Sequence, residues 1–299
     1  MAQQAMQLGA FGVWTFQLDV LPAARMQKVA SELEEMGYGA LWYGEAVGRE
    51  ALTKAGLLLA GTKRIIIATG IANIYGRDPI TMAAGQKTLA EAYPNRFLLG
   101  LGVSHIPLVE KLRGHRYDKP VPTMRAYLDA MDKAPYQAVP AASKPPRVLA
   151  ALGPLMLKLS AERADGAHPY NTSPQHTAEA RKLLGAGPLL CPEQAVVLEQ
   201  DPAKARAIAR KFLEIYLGLP NYTNNWLRLG FQEADLSKGG SDRLIDAIIA
   251  WGDLKTVVSR IQEHRSAGAD HVCIQVLTED SKTFPTREYR DLASALLGK

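Results

Sequence analysis

The segment from residue 63 to residue 105 constrains the fold most strongly, because its pattern predicts a strand, a loop, a helix and a second strand in succession. Residues 65–69 are apolar and largely β-branched without polar alternation, which is typical of a strand buried on both faces of a parallel sheet. Residues 78–79 are Asp-Pro, an N-cap followed by a first-turn proline, and Pro94 ends the helix that they begin. Residues 97–101 form the next strand. Parallel strands of this kind end at the same edge of the sheet, which in a barrel carries the chemistry.

The same alternation of strands and helices extends along the chain. We predict eight strands, at residues 7–14, 41–44, 65–69, 97–101, 147–151, 165–168, 187–198 and 271–277. A chain of 299 residues with 47% hydrophobic content suits one large core, so we expect a single domain over residues 1–299. The predicted fold class is α/β, a (β/α)8 TIM barrel, and the alternative is a doubly wound open sheet. Residues 219–240 lack clean periodicity, and we predict an inserted irregular segment that acts as a lid, a substrate wall or an oligomer contact.

Composition and motifs exclude several classes of protein. No apolar run approaches the roughly 20 residues that span a bilayer, and the N-terminus lacks the order of a signal peptide, so we expect a cytoplasmic protein. The formal charge of +5 is spread along the chain without basic runs interleaved with aromatics, which argues against nucleic-acid binding and fits an anionic small molecule equally well. The six histidines lack the spacing of a zinc site, and we expect no metal. Cys191 and Cys273 have no CxxC spacing and are expected to be buried free thiols.

Five motifs in combination resemble one known family. They are RIIIATGIAN, YGRDP, NRFLLGLGVSH, AERADGAHPYNTSPQH and LKTVVSRIQEHRSAGADHVCIQVL. Together they are similar to the bacterial luciferase-like monooxygenases, and most of all to the actinobacterial branch that uses the deazaflavin coenzyme F420. The resemblance implies a TIM barrel, a flavin or deazaflavin lying across its C-terminal mouth, and a homodimer. It covers nearly the whole chain and is weakest in residues 134–146 and 219–240.

Three groups of residues match the family's cofactor site and are therefore expected to bind the cofactor. The bulge that backs the middle ring, frequently with a non-prolyl cis peptide, corresponds to Gly70, Ile71, Ala72 and Asn73. The segment after the fourth strand corresponds to Gly102, Val103 and Ser104. The phosphate-contacting loop, which opens a helix whose N-terminus favours an anion, corresponds to Ala151, Leu152 and Gly153. His168, at the end of the sixth strand, is a further pocket candidate, and a purely structural histidine is the alternative.

Two other residues are candidates for catalysis. His105 stands where sugar-phosphate dehydrogenases of the family have a glutamate, and an ordinary histidine pKa of about 6.5 suits proton transfer beside a hydride transfer. The alternative is a hydrogen bond to the cofactor or to a backbone carbonyl. Glu45 follows the second strand, where relatives carry residues that contact the cofactor or the substrate, and a solvated loop carboxylate is the alternative. Arg77 is expected either to reach a phosphate or to pair with Asp78.

The resemblance implies hydride transfer between coenzyme F420 and a small organic substrate, with the protein supplying position, a proton and exclusion of water. The first alternative is an FMN-dependent monooxygenase on the same barrel, and the second is a non-catalytic barrel that only binds a cofactor. Tyr222 and Trp226 are expected either to stack on substrate or to pack in a lid or interface. No residue of the sequence distinguishes the two cofactors or identifies the substrate.

Overall fold

The computed structural model describes residues 6–298, in which parallel strands alternate with helices. The strands of this part of the chain are β1 (Phe11–Trp14), β2 (Ala40–Tyr43), β3 (Ile66–Thr69), β4 (Ala72–Asn73), β5 (Phe97–Gly102), β6 (Arg147–Leu149), β7 (Gly166–Ala167), β8 (Leu189–Leu190), β9 (Glu193–Val197), β10 (Ala250–Trp251) and β11 (Val272–Val276). The helices are α1 (Ala23–Glu35), α2 (Ala51–Ala60), α3 (Pro79–Ala92), α4 (Pro120–Asp132), α5 (Pro154–Arg163), α6 (Pro174–Leu184), α7 (Pro202–Leu217), α8 (Pro220–Arg228), α9 (Glu233–Leu236), α10 (Asp242–Ile248), α11 (Leu254–Ser266) and α12 (Thr286–Leu297). Two short turns, 3₁₀ and π-helical, are Gln17–Val20 and Pro107–Leu112.

The strands form a closed ring. Every pairing is parallel, in the order β10, β9, β11, β1, β2, β3, β5, β6, β7 and β8, with β4 beside β5. The ring closes because β8 and β9 are two parts of one strand, separated by Cys191 and Pro192. The Cys191 N–H donates to the Ala167 carbonyl at 2.9 Å on one side, and the Cys273 N–H donates to the Pro192 carbonyl at 2.9 Å on the other. The predicted TIM barrel is confirmed, and the doubly wound open sheet is wrong.

Both faces of the strands are buried, which explains why the strand sequences are apolar without alternation. Side chains on one face form a cluster inside the ring that includes Trp14, Trp42, Ala68, Leu98 and Val148. Side chains on the other face pack against the surrounding helices and include Val13, Leu41, Ile67, Leu99 and Leu149. The barrel is therefore a filled core, and a ligand has room only at its rim.

The helix boundaries follow the expected signals. The Asp78 carboxylate accepts the N–H groups of Ile80 and Thr81 at 2.9 and 3.0 Å, Pro79 occupies the first turn, and α3 ends before Pro94 as predicted. Asp201 caps α7 in the same way. The cap predicted at Asp78 is confirmed.

The prediction of an irregular segment at residues 219–240 is wrong, because this segment contains α8 and α9. The helix α8 begins at Pro220 and buries Tyr222 and Trp226, which stand four residues apart on one face. The helix has only nine residues, and Gly230 with φ of 95° follows its end. A single apolar pair among polar residues is too short a pattern to show helical periodicity in the sequence.

Cys191 and Cys273 are buried free thiols, as predicted. Within residues 6–298, the helices all lack the length and apolarity needed to cross a membrane. Residues 1–5 and 299 lie outside the described part of the chain.

Candidate active site

The segments that follow β3 and β5 lie side by side at the C-terminal mouth of the barrel. Ala72 pairs with Leu101, and Asn73 pairs with Gly102, in parallel register. The Gly70–Ile71 peptide bond that precedes this pairing is cis. The structure thus brings together two of the three groups that were predicted to contact a cofactor.

Glycines in these segments are required by close packing. A Cβ at Gly100 would lie 2.0 Å from the Thr69 carbonyl oxygen, and a Cβ at Gly102 would lie 2.4 Å from Ile71 Cγ1. The Thr69 hydroxyl also donates to the Gly100 carbonyl and accepts the Gly100 N–H, both at 2.8 Å. The LGLG sequence therefore lets the chain after β3 lie directly against β5.

Trp14 supports the bulge from inside the barrel. Its indole Nε1–H donates to the Gly70 carbonyl at 3.2 Å, and a Cβ at Gly70 would lie 2.5 Å from the same nitrogen. Trp14 itself is 1% exposed. The position of the segment at the mouth thus depends on the large side chain beneath it.

Glu45 holds the same segment from the neighbouring loop. Its backbone N–H donates to the Ile71 carbonyl at 3.1 Å, and its carboxylate accepts the N–H groups of Asn73 at 2.8 Å and Ala51 at 3.1 Å. The carboxylate also forms an ion pair with Arg77, and the Glu45 side chain is 6% exposed. Both carboxylate oxygens are engaged, so the geometry favours a positioning role. The catalytic role of Glu45 stays a prediction.

Arg77 forms its ion pairs with two glutamates, and a contact with a phosphate stays a prediction. It pairs with Glu45 and, at 2.6 Å, with Glu50, and its side chain is 8% exposed. The Asp78 carboxylate is instead used to cap α3, which leaves the guanidinium to the two glutamates. The predicted pairing of Arg77 with Asp78 is therefore wrong, because the N-cap competes for the same carboxylate.

His105 lies beyond β5, next to Ser104, which has a left-handed φ of 59°. Its ring centroid is 5.6 Å from that of Tyr222 in α8. The His105 Nδ1 atom is buried and has no partner within residues 6–298. Burial lowers the pKa of His105 below its usual value, although a hydrogen bond with the Asn221 side chain opposes this shift. The imidazole is accordingly neutral at pH 7 and has one ring nitrogen free for a ligand.

The loop from β6 to α5 presents a helix N-terminus at the mouth. Gly153 is the N-cap residue, Pro154 follows it, and a Cβ at Gly153 would meet no atom within 4 Å. The Leu152 carbonyl accepts a hydrogen bond from His176 Nε2 at 2.8 Å, which fixes the loop from below. The Ala150 N–H donates to the end of β5 at 2.8 Å. The predicted phosphate loop therefore lies beside the end of β5 and has open space at Gly153, the N-cap of α5.

His168 lies inside the barrel instead of on the mouth surface. It is 1% exposed, its ring stacks on Trp42 at 4.6 Å, and its Nδ1 hydrogen-bonds the Cys191 carbonyl at 2.7 Å. Burial lowers the pKa of His168 to about 4, so it is neutral. These contacts favour the structural alternative, and a role in cofactor binding stays a prediction.

The aromatic residues of α8 cover the mouth. The Tyr222 ring packs on Tyr216 at 5.0 Å, and Trp226 Nε1–H donates to the Asn171 carbonyl at 3.1 Å. Tyr222 is 6% exposed and Trp226 is fully buried. Both side chains pack within the helix layer over the mouth, and stacking of either on a substrate stays a prediction.

Glu193 is a residue that sequence reasoning missed. It begins β9, is fully buried, and accepts the Asn171 N–H at 3.0 Å through Oε2. Burial raises the pKa of Glu193 to about 8. The available signal was a lone glutamate inside a segment predicted to be a buried strand, since carboxylates are almost never fully buried unless paired.

The residues at the mouth fit a group that has a hydrogen-bonding ring and an anionic tail. Asn73 Nδ2 and His105 Nδ1 are buried atoms without a partner in the described chain, and they belong to adjacent strand ends. The N-terminus of α5 provides donors for an anion beside them. A flavin or a deazaflavin has both features, so these residues fit either cofactor.

The parallel barrel and the polar groups at its mouth place this chain in the class of cofactor-binding TIM-barrel proteins. The chain belongs to the luciferase-like monooxygenase family, because the family profile matches residues 4–271. Membership makes the protein an oxidoreductase that uses a flavin-type cofactor.

Relatives and solved structures agree with this family. A protein of Mycobacterium tuberculosis that bears the provisional name coenzyme F420-dependent oxidoreductase is 25% identical, over 98% of this chain and 99% of its own length. An F420-dependent secondary alcohol dehydrogenase, solved with an F420–acetone adduct, has a TM-score of 0.77 at 14% identity and covers 96% of this chain and 98% of its own. The oxygenating constituent of 3,6-diketocamphane monooxygenase of Pseudomonas putida, solved with FMN, has a TM-score of 0.69 at 14% identity, with 95% of both chains covered. At these identities the two structures establish the fold alone.

Proposed function

We propose that the protein is a coenzyme F420-dependent oxidoreductase that transfers hydride between the deazaflavin and a small organic substrate at the barrel mouth. Family membership and the relative from M. tuberculosis support the cofactor. The observation that carries the proposal is the neutral imidazole of His105, which lies beyond the end of β5 against Tyr222 and whose buried Nδ1 has no partner in the described chain. When bound, the deazaflavin supplies or accepts the hydride.

His105 is proposed to move the accompanying proton. A substrate that gains hydride at one atom needs a proton at the neighbouring atom, and a substrate that loses hydride must release one. A neutral imidazole accepts a proton at Nδ1 in one tautomer and donates it in the other. The same side chain therefore serves either direction of transfer.

The other strand ends are proposed to hold the cofactor. The segment Gly70 to Asn73 would back the ring, with Glu45 fixing its position through the contacts to Ile71 and Asn73. The N-terminus of α5 at Gly153 would bind a phosphate. The lid helix α8 would exclude water from the reacting atoms, since Tyr222 and Trp226 close the mouth.

An FMN-dependent monooxygenase is the second candidate function. It is favoured by the structural neighbour that was solved with FMN. In that case the same mouth residues would hold the flavin, and the lid would protect the site from water.

A fluorescence titration of the apoprotein with coenzyme F420 and, in parallel, with FMN tests the proposal. Micromolar or tighter binding of the deazaflavin alone is the expected result. A preference for FMN would transfer the assignment to the monooxygenase, and binding of neither cofactor would refute both assignments. Gly153→Leu should weaken the preferred cofactor because it fills the space at the helix N-terminus.

A further inference from the structure

A buried polar pair faces the barrel interior directly beneath α8, whose Trp226 indole N–H donates to the Asn171 carbonyl. Glu193 and Asn171 are 0% and 1% exposed, and they are joined by the hydrogen bond from the Asn171 N–H to Glu193 Oε2. Glu193 pairs in register with Cys273, whose side chain belongs to the cluster inside the ring. Because paired residues of parallel strands point to the same face, the Glu193 carboxyl also faces the barrel interior.

Three polar atoms of this pair have no partner within residues 6–298. They are Glu193 Oε1, Asn171 Oδ1 and Asn171 Nδ2. A buried polar atom without a partner destabilises a fold, so three such atoms on two hydrogen-bonded residues indicate that something else binds there. Since Glu193 is largely protonated at neutral pH, the pair offers two donors and one acceptor.

The surroundings of the pair are uncharged and aromatic. The titratable groups that face Glu193 are those of Tyr170, Tyr216, Tyr222, Tyr289 and Cys273. Burial raises the pKa of each of them, so all are neutral at pH 7. An anionic ligand would find no cation among these groups, and a neutral ligand suits them.

The lid joins this pair to His105. Tyr222 of α8 contacts the His105 ring at 5.6 Å and the Tyr170 ring at 6.3 Å, and Tyr170 adjoins Asn171 in the chain. The same helix donates from Trp226 to the Asn171 carbonyl. One movement of α8 would therefore expose both the polar pair and the imidazole.

We propose that Glu193 and Asn171 form the polar end of the substrate pocket and bind the carbonyl or hydroxyl group of an uncharged substrate beneath α8. The inference rests on the proposed function for the identity of the occupant as substrate. A carbonyl oxygen accepts from both donors, and a hydroxyl group pairs with a donor and with Asn171 Oδ1. An anchored oxygen would hold the substrate under Tyr222, whose ring also contacts His105.

Binding of three fluorinated probes of similar shape tests the inference by ¹⁹F NMR. The probes are 4,4-difluorocyclohexanone, 1,1-difluorocyclohexane and 4,4-difluorocyclohexanecarboxylate, titrated into the full chain with and without oxidised coenzyme F420. The ketone is expected to bind at least about tenfold more tightly than either the hydrocarbon or the anion. Equal binding of ketone and hydrocarbon in both preparations would overturn the inference.

Variants separate the polar pair from general packing. Glu193→Gln keeps a donor and should bind the ketone within about threefold of the parent, without the weakening above pH 8 that ionisation of Glu193 causes in the parent. Glu193→Leu and Asn171→Leu should each lose about tenfold for the ketone and nothing for the hydrocarbon. Glu199→Leu, beyond the end of the same strand, is the matched control, and circular dichroism checks that each variant folds.

Two outcomes separate this inference from the proposed function. Ketone selectivity that is lost in Glu193→Leu supports the pocket even if coenzyme F420 does not bind, and in that case only the cofactor assignment fails. If Glu193→Leu is more stable than the parent and binds the ketone unchanged, the pair holds ordered water only, and the inference is refuted although the cofactor assignment can stand.

Discussion

Lowering the pH from 7 to 5 should strongly destabilise this protein, because four buried histidines are neutral in the folded state. Burial lowers the pKa of His168, His176 and His271 to about 4 and that of His264 to about 3. In the unfolded chain each pKa is about 6.5. A base with a lowered folded pKa takes up its proton more readily when unfolded. The stability that it contributes is therefore fully present above the unfolded pKa and is lost as the pH falls towards the folded value.

Hydrogen bonds explain why His271 resists protonation. The Trp42 indole N–H donates to His271 Nε2 at 3.1 Å, so the other ring nitrogen, Nδ1, carries the proton and donates to the Gly9 carbonyl at 2.9 Å. Both nitrogens are satisfied only in the neutral ring. A second proton would make Nε2 a donor that faces the Trp42 N–H, and the hydrogen bond between them would be lost.

His264 is held neutral by a similar pair of contacts. The Gln194 amide nitrogen donates to the Ala195 and Ile248 carbonyls, so Gln194 Oε1 accepts from His264 Nε2 at 2.8 Å. The other nitrogen, Nδ1, lies 2.8 Å from the Thr177 hydroxyl and accepts from it. Protonation of Nδ1 would force the Thr177 hydroxyl to turn from donor to acceptor, and burial opposes the added charge and lowers the pKa of His264.

The magnitude follows from these shifts. Between pH 7 and pH 5 each histidine loses about 1.8 kcal/mol of stabilising free energy, and the four together lose about 7 kcal/mol. Glu193 acts in the opposite direction, because its pKa is raised to about 8 in the folded state. The free energy of keeping it neutral there, relative to an ionised glutamate in the unfolded chain, decreases as the pH falls. Glu193 therefore offsets about 2.5 kcal/mol of this loss, and the unfolding free energy decreases by about 5 kcal/mol in total. That is comparable with the whole unfolding free energy of a marginally stable domain, about 5–15 kcal/mol.

Urea unfolding followed by tryptophan fluorescence at pH 7, 6 and 5 measures this loss. His264→Gln should unfold with a weaker dependence on pH than the parent, because one proton fewer is taken up on unfolding. His115→Gln, at an exposed position, is the matched control and should leave the slope unchanged. An unfolding free energy that stays constant within about 1 kcal/mol between pH 7 and 5 would show that these histidines are not held neutral.

Three further predictions concern the mouth of the barrel. His105→Ala should lower turnover by about 10²- to 10⁴-fold while changing the dissociation constant of the cofactor less than about threefold, measured by steady-state kinetics and fluorescence titration; unchanged turnover would remove the proton-transfer role. Glu45→Gln should weaken cofactor binding and lower the unfolding free energy by about 2 kcal/mol in urea, and more than the control Glu50→Gln, whose side chain is 46% exposed; equal effects would mean that Glu45 does not hold the segment after β3. Trp226→Phe should lower the unfolding free energy in urea by about 1 kcal/mol, because it keeps an aromatic ring and loses the bond to the Asn171 carbonyl; an unfolding free energy equal to that of the parent would show that this bond does not stabilise the lid.

The barrel and most of its boundaries could be predicted because their causes are local. Apolar strands and the cap at Asp78 leave local patterns in the chain, whereas the glycines of LGLG are required by contact with Thr69 and Ile71 of a preceding element. The helix α8 was missed because a nine-residue helix with one buried aromatic pair has too little periodicity to recognise. This helix is held in place by packing on Tyr216 of α7 and by the hydrogen bond to Asn171, and neither residue belongs to α8.

The contacts of the candidate site depend on which of several possible hydrogen-bond and ion-pair partners each side chain takes, and a sequence does not show which partner is favoured. The sequence allows Asp78 to cap α3 and also to pair with Arg77, and the folded chain keeps Asp78 at the cap and places Glu45 against the guanidinium. The same holds for His168, whose strand-end position agrees with a mouth residue until its ring is seen stacked on Trp42.

The sequence by itself determined the order of strands and helices, the barrel, and the edge at which Gly70, His105 and Gly153 would meet, since the ends of parallel strands share one rim. The tertiary structure alone decided which side chains at that rim are free and which are engaged. It also decided that Glu193 is a buried neutral acid, since its pKa depends on the absence of water and of a cation around it. Burial and pairing arise from residues far apart in the chain, and the pattern of any one segment does not contain them.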